Sequence, residues 1–314
     1  MPTWSEILKE LHETTKQPGV KSPVDFVRRK YLKEVSDLTK RNTILYASCW
    51  TSKPDVPPSF LSISDEDLQG LMEVIHGLSG SELDLILHTP GGPLEVAEAF
   101  VSYLRSKFTD IRIIVPSVAM SAGTMIACAG DKIVLGKHSF LGPTDPQLII
   151  PTKTGLRMAS AQSILDQFDR AQQECKDPAK LSSWIPMLNQ YGPDLLIQSE
   201  KALEMSRELV ESWLSKYMLK EDRKKAKEIA NWLSNNKLFK THSRRISREQ
   251  LEKIGLKIQH LEDNQKEQDL FLSVFHATTH TFTGTPSAKI IENHNGRAFI
   301  KMFQQQPFLV QRKT

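Results

Sequence analysis

Ser121 stands in Val118-Ala-Met-Ser-Ala-Gly-Thr124, between apolar residues and just before Ala122-Gly123. The segment reads as a strand, a sharp small-residue turn and a helix. A serine at such a turn projects its Oγ outward, and the N–H groups that follow point to the same place at the positive end of the helix. One β-α unit earlier, Leu85-Ile-Leu-His-Thr-Pro-Gly-Gly92 runs into Pro93. It reads as a buried strand, a Gly-Gly turn and a second helix. Alone, Ser-Ala-Gly is a helix cap and Gly-Gly before proline is a turn. Together they supply an exposed hydroxyl and two halves of a backbone site for a developing oxyanion, the apparatus of acyl transfer.

A serine nucleophile needs a base. Asp145 lies in Leu141-Gly-Pro-Thr-Asp-Pro-Gln147, where Pro143 and Pro146 stiffen a loop. A fixed acid there could orient a histidine, or serve only as a turn residue. His242, in Lys240-Thr-His-Ser-Arg-Arg-Ile246, precedes a capped helix and suits an exposed base. His138, closer in sequence to Ser121, is the alternative. His88 precedes the glycine turn and would orient backbone there. His276 and His280 are one helical turn apart but lack the intervening acid of a zinc protease helix, so packing or hydrogen bonding is the expected role and no metal is expected.

The elements that must position these groups follow from period and punctuation. Residues 1–38 form a polar helical arm broken at Pro18 and Pro23. Strands are expected at 43–50, 83–88, 111–116 and 132–135, and helices at 94–108 and 121–129. A helix after Ser64 carries Asp65, Glu66 and Asp67 in its first turn, with Ser64 as its cap. The β-β-α-β-α-β order argues for an α/β protein with a mainly parallel sheet. Residues 156–235 are charged and helical, with breaks at Asp177-Pro178, Pro186 and Gly192-Pro193. Ser247-Arg-Glu-Gln250 is a capping box, closed by Gly255. An apolar helix at 270–280, a loop around Thr283-Gly-Thr-Pro286 and strands at 289–291 and 298–300 complete the pattern. The division expected is an arm, 1–38, and one domain, 39–314.

The chain has 314 residues, 39% hydrophobic and 25% charged, which suits a globular protein with a real core. A net charge of +4 is too weak to argue for nucleic acid. The basic clusters Arg28-Arg29-Lys30, Arg223-Lys-Lys225 and Arg244-Arg245 read as solvated faces. Three cysteines, Cys49, Cys128 and Cys175, fit a reducing, cytoplasmic compartment. No apolar segment opens the chain as a signal peptide would. The uncharged run between Arg112 and Asp131 is broken by Pro116, Ser117, Ser121 and Gly123, so it reads as buried α/β core and not a membrane span. No G-x-G-x-x-G fingerprint is present, and no cofactor is expected.

The glycine turn, the Met120-Ser121-Ala122-Gly123 elbow and the strand after it resemble the Clp protease/crotonase superfamily. Arg245-Ile-Ser-Arg-Glu-Gln-Leu-Glu-Lys-Ile-Gly-Leu256 is similar to the late helix-and-glycine motif of signal peptide peptidase A-type enzymes. The chain looks most like the serine dehydrogenase proteinase family, from about residue 40 to 303. The shared features are the His-Thr-Pro-Gly-Gly turn, the Leu-Gly-Pro-x-Asp-Pro-Gln loop, the late Thr-His, and the tail Lys289-Ile-Ile-Glu-Asn-His-x-Gly-Arg-Ala298. The resemblance implies a Clp protease/crotonase-like core of ββα units and a self-assembling, ATP-independent serine peptidase acting on peptides or unfolded proteins. It assigns the nucleophile to Ser121, the acid to Asp145 and the base to His242, with oxyanion N–H groups from Gly91 or Gly92 and from Ala122. Three rival readings remain: a Ser-Lys dyad with Lys132 or Lys137 as base, a crotonase-type acyl-CoA enzyme, and a non-catalytic scaffold on the same fold.

Overall fold

A computed structural model describes residues 3–152, 155–220 and 222–304. The described chain opens with α1 (Trp4–Thr14) and α2 (Pro23–Thr39). Then come β1 (Asn42–Ser48), α3 (Pro58–Leu61), α4 (Glu66–Ile75), β2 (Glu82–His88), α5 (Leu94–Lys107) and β3 (Asp110–Val115). The two-residue β4 (Val118–Ala119) leads to α6 (Ala122–Cys128), β5 (Lys132–Leu135) and β6 (Phe140–Leu141). Two paired strands, β7 (Gln147–Thr152) and β8 (Gly155–Ser160), precede the helices α7 (Ala161–Glu174), α8 (Pro178–Leu188), α9 (Leu195–Lys216), α10 (Arg223–Leu233) and α11 (Asn236–Phe239). The chain returns through β9 (Ile246–Ser247), α12 (Arg248–Lys253), β10 (Ile258–His260), α13 (Gln265–Gly284), β11 (Ser287–Asn293) and β12 (Ala298–Met302).

Seven strands form the main sheet in the order β10-β5-β3-β2-β1-β11-β12. The first five are mutually parallel, while β11 and β12 are antiparallel additions. Alternation along the strands feeds two cores, because successive side chains leave opposite faces. Ile44, Tyr46, Leu85, Leu87, Ile113 and Val115 point to the side covered by α4, α5, α6, α9 and α10. Leu45, Ala47, Ile86, Ile114 and Val134 point to the side covered by α1, α2 and α13. This is the expected α/β class with a mostly parallel sheet. A second, three-stranded sheet has the order β4-β6-β9. Among the described residues, no helix is long and apolar enough to cross a membrane.

Several sequence expectations need correction. Residues 156–160 are strand, not helix: β8 pairs with β7 from Gln147↔Ser160 to Thr152↔Gly155. Pro186 does not break a helix but lies inside α8, whereas Pro178 begins it. The helix expected at 270–280 runs on to Gly284, through half of the anticipated loop. Ser64 does not cap α4. The direction is reversed: the Ser64 N–H donates to Asp67 Oδ2 at 2.9 Å, and the Ser64 hydroxyl is buried without a partner. Arg28 is not on a solvated face. Its side chain is fully buried, its Nε donating to Glu292 at 2.5 Å and its NH2 to Asp25 at 2.7 Å. A buried guanidinium is tolerated only when its donors are paired in this way.

Candidate active site

The small sheet decides which loops meet. β4 and β6 are parallel, with Val118↔Phe140 and Ala119↔Leu141. β9 is antiparallel to β6, with Phe140↔Ser247 and Leu141↔Ile246. The chain after β4, the chain after β6 and the chain before β9 therefore leave by one end of this sheet's strands. Ser121 lies on the first, Asp145 on the second and His242 on the third.

Ser121 takes φ 52° and ψ −121°, a region that a side chain rarely occupies. Such strain persists only where the surroundings over-determine it. The surroundings here are backbone. Thr89 bridges to Ala119, the Met120 N–H donates to Thr89 O at 3.0 Å, and the Thr89 N–H donates to Val118 O at 3.3 Å. The glycine turn thus lies directly against the serine elbow. Gly91 has φ +99°, and a Cβ there would meet Met120 O at 2.7 Å, Ser121 Cβ at 2.8 Å and Ala122 N at 2.9 Å. A Cβ on Gly92 would run into the backbone of Ile63. The two glycines are what let the bends touch.

The amides of this junction are not equivalent. The Gly91 N–H donates to Thr89 Oγ1 at 3.2 Å. The N–H groups of Gly92 and Ala122 have no acceptor among the described residues. Ala122 is the first residue of α6, where a free N–H is the rule. Of the two glycine amides, Gly92 is the available one.

Asp145 is fully buried and its two oxygens are divided. Oδ1 lies 2.8 Å from His242 Nδ1, while Oδ2 accepts from Asn236 Nδ2 at 3.0 Å and from Gln147 Nε2 at 3.1 Å. His242 is about one-fifth exposed at 22%. The Asp145 loop is fastened to the helical region next door: Thr144 donates its N–H to Leu233 O at 2.9 Å, and Thr144 O accepts from Ser206 Oγ at 2.7 Å. The partly exposed Ser121 hydroxyl has no hydrogen bond to a described residue.

Comparison with known proteins gives the chain a family. The family model of ClpP-like SDH-type serine proteinases matches residues 58–271, which contain the glycine turn, the elbow, the Asp145 loop and His242. The chain belongs to this family. Among curated proteins, the chain is similar to two uncharacterized proteins of Methanocaldococcus jannaschii. It is 34% identical to MJ0137 over 51% of this chain and 57% of that protein, and 29% identical to MJ1495 over 64% of this chain and 60% of that protein. The matched segment thus spans less than two thirds of either relative's length.

The other candidate bases are poorly placed in the SDH-type fold. Lys132 and Lys137 are exposed, without the burial that a lysine base requires. Lys132 also begins β5, at the N-terminal end of the parallel strands, whereas the elbow follows their C-terminal ends. His138 is exposed on the turn between β5 and β6. His88 is buried, and burial pushes its pKa down to about 4. His280 Nε2 contacts the Trp4 carbonyl at 2.9 Å, with its ring on the indole, which is a packing role. Asn236, Thr89 and Ile63 were missed by sequence reasoning. Asn236 gave no signal, because an asparagine in the first turn of a short helix is unremarkable. Gln147 closes the quoted Asp145 motif and could have been found there.

Proposed function

We propose that this chain is a serine peptidase that cleaves peptide bonds through an acyl-enzyme on Ser121. With Asp145 as a carboxylate, which only accepts hydrogen bonds, the imidazole proton sits on Nδ1 and His242 Nε2 keeps its lone pair. That nitrogen takes the Ser121 proton as Oγ bonds to the carbonyl carbon. The resulting oxyanion accepts from the Gly92 and Ala122 N–H groups. The tetrahedral species collapses, the C–N bond breaks, and the proton on Nε2 goes to the leaving amine. Water then repeats the attack, giving its proton to His242, which returns one to Ser121 as the carboxyl product departs.

The observation that carries this reading is the 2.8 Å His242–Asp145 hydrogen bond at the end of the small sheet that also bears the strained serine. The test is covalent labelling by a fluorophosphonate probe. Wild type should label at one residue, and Ser121→Ala should not label while keeping its circular dichroism. Equal labelling of the two would sink the assignment. With the reading go peptides or unfolded chains as substrates, assembly with copies of itself, and residence in the cytoplasm. Three free cysteines suit a reducing compartment. Sedimentation analysis tests the assembly.

A further inference from the structure

The glycine turn is gripped from behind by charged groups that never touch the nucleophile. Lys289, on β11, is fully buried. Its Nζ lies 2.7 Å from both oxygens of Asp67 and 2.7 Å from Ser62 O, so every ammonium donor is engaged. Asp67, on α4, is equally buried, and its Oδ2 also accepts from Tyr46 Oη at 2.6 Å and from the Ser64 N–H at 2.9 Å. An ion pair so far from water costs desolvation, and replacing it with apolar residues is often neutral or better for stability. Its presence therefore asks for a reason other than stability.

One route leads from this cluster to the oxyanion turn. Lys289 holds Ser62 O and Asp67 holds the Ser64 N–H, which fixes the backbone on both sides of Ile63. The Ile63 N–H donates to Gly91 O at 2.7 Å, and its backbone is the wall against which Gly92 lies. Tyr46 Oη donates to the same Asp67; burial, and then Asp67, pushes the phenol well up, so it remains a donor. Gly91 O and the Gly92 N–H belong to one planar peptide unit, so the partner that fixes the carbonyl also sets the direction of the N–H.

We infer that Lys289, Asp67 and Tyr46 form a buried positioning cluster that aims the Gly92 N–H at the oxyanion. The inference rests on the peptidase reading above and deepens it. The cluster touches no substrate. It acts through Ser62, Ile63 and Ser64 on a single backbone donor, and a donor aimed before the reaction begins is the kind that stabilises a transition state.

The test uses the fluorophosphonate, whose phosphoryl oxygen occupies the same hole. Tyr46→Phe removes one hydroxyl and leaves the ion pair. Asp67→Asn with Lys289→Gln replaces both charges by neutral groups that still hydrogen-bond. In each variant that melts cooperatively, the limiting rate of labelling at Ser121 should fall about tenfold, with the half-saturating probe concentration within about twofold of wild type. Complete removal of a donor costs roughly 10²–10³, and misalignment costs less. Labelling at the wild-type rate by either folded variant overturns the inference, since a merely structural cluster would lower the melting temperature alone. Equal labelling of wild type and Ser121→Ala overturns the peptidase reading instead. The two failures are therefore distinguishable.

Discussion

The serine half and the histidine half of the site are built from different materials. Around Ser121 the fixing contacts are backbone hydrogen bonds and van der Waals contacts at glycines. Around His242 they are side-chain hydrogen bonds converging on one buried carboxylate, from residues on a loop, a strand and a short helix. A junction of backbone cannot be adjusted by one side chain without a clash. A hydrogen-bonded carboxylate can lose one donor and keep another. The nucleophile half should therefore respond to substitution in an all-or-none way and the base half in graded steps, with its central acid as the exception.

Asp145→Asn should show the largest effect. The amide can donate to His242, which favours the tautomer with the proton on Nε2 and disables the base. The expected loss in labelling rate is about 10⁴-fold with the fold retained. A rate near wild type would remove the histidine half from the chemistry altogether. Gly91→Ala comes next. Its Cβ would sit 2.7 Å from Met120 O at a φ of +99°, so the two bends must part. Labelling should fall by roughly 10²-fold, as for loss of one oxyanion donor. The melting temperature should fall too, because a side chain in this region is strained. A fully active Gly91→Ala variant would mean that the bends need not touch.

The same contrast governs what could be read from sequence. The strand-turn-helix around Ser121 and the Gly91-Gly92 turn are local, so residue order alone announced them. Strand and helix periods likewise gave the parallel sheet. The His242–Asp145 contact joins residues 97 apart, and nothing local to His242 marks it. Resemblance to a family, not spacing, singled it out. The residue pattern passes over β7 and suggests helix for β8, because Ile149, Leu156 and Met158 are exposed at 65%, 74% and 69%. Without a buried face their alternation carries no usable hydrophobic signal. Arg28 was misread for the opposite reason: its buried partner Glu292 comes from the far end of the chain.

The serine half also carries a pH liability. His88 ends β2 just before the glycine turn, and burial pushes it from 6.5 down to about 4. Between those values the unfolded chain binds a proton that the folded chain refuses. Its contribution to stability is therefore complete above pH 6.5 and is lost as pH falls towards 4. From pH 7.5 to 5 this amounts to a loss on the order of 2 kcal/mol. Urea unfolding of wild type and His88→Asn at the two pH values checks it. The variant should be less stable at pH 7.5 yet lose less on acidification. Equal losses would mean that His88 takes up its proton without unfolding.

The smallest effect, and the sharpest on the comparison, concerns the two donors that share Asp145 Oδ2. Asn236 and Gln147 reach it at 3.0 and 3.1 Å from different directions. Asn236→Ala leaves Gln147 in place, so the carboxylate keeps one partner and its alignment with His242. A hydrogen bond to a charged group contributes about 1.5–3 kcal/mol when nothing replaces it, but here something does. Each single substitution should slow labelling only about threefold, near 0.7 kcal/mol. Removing both donors leaves the buried oxygen bare, and the double variant should lose more than the product of the singles. That coupling is the signature of redundancy at one atom. If the losses simply multiply, the two amides act independently, and the graded behaviour expected of the histidine half has another origin.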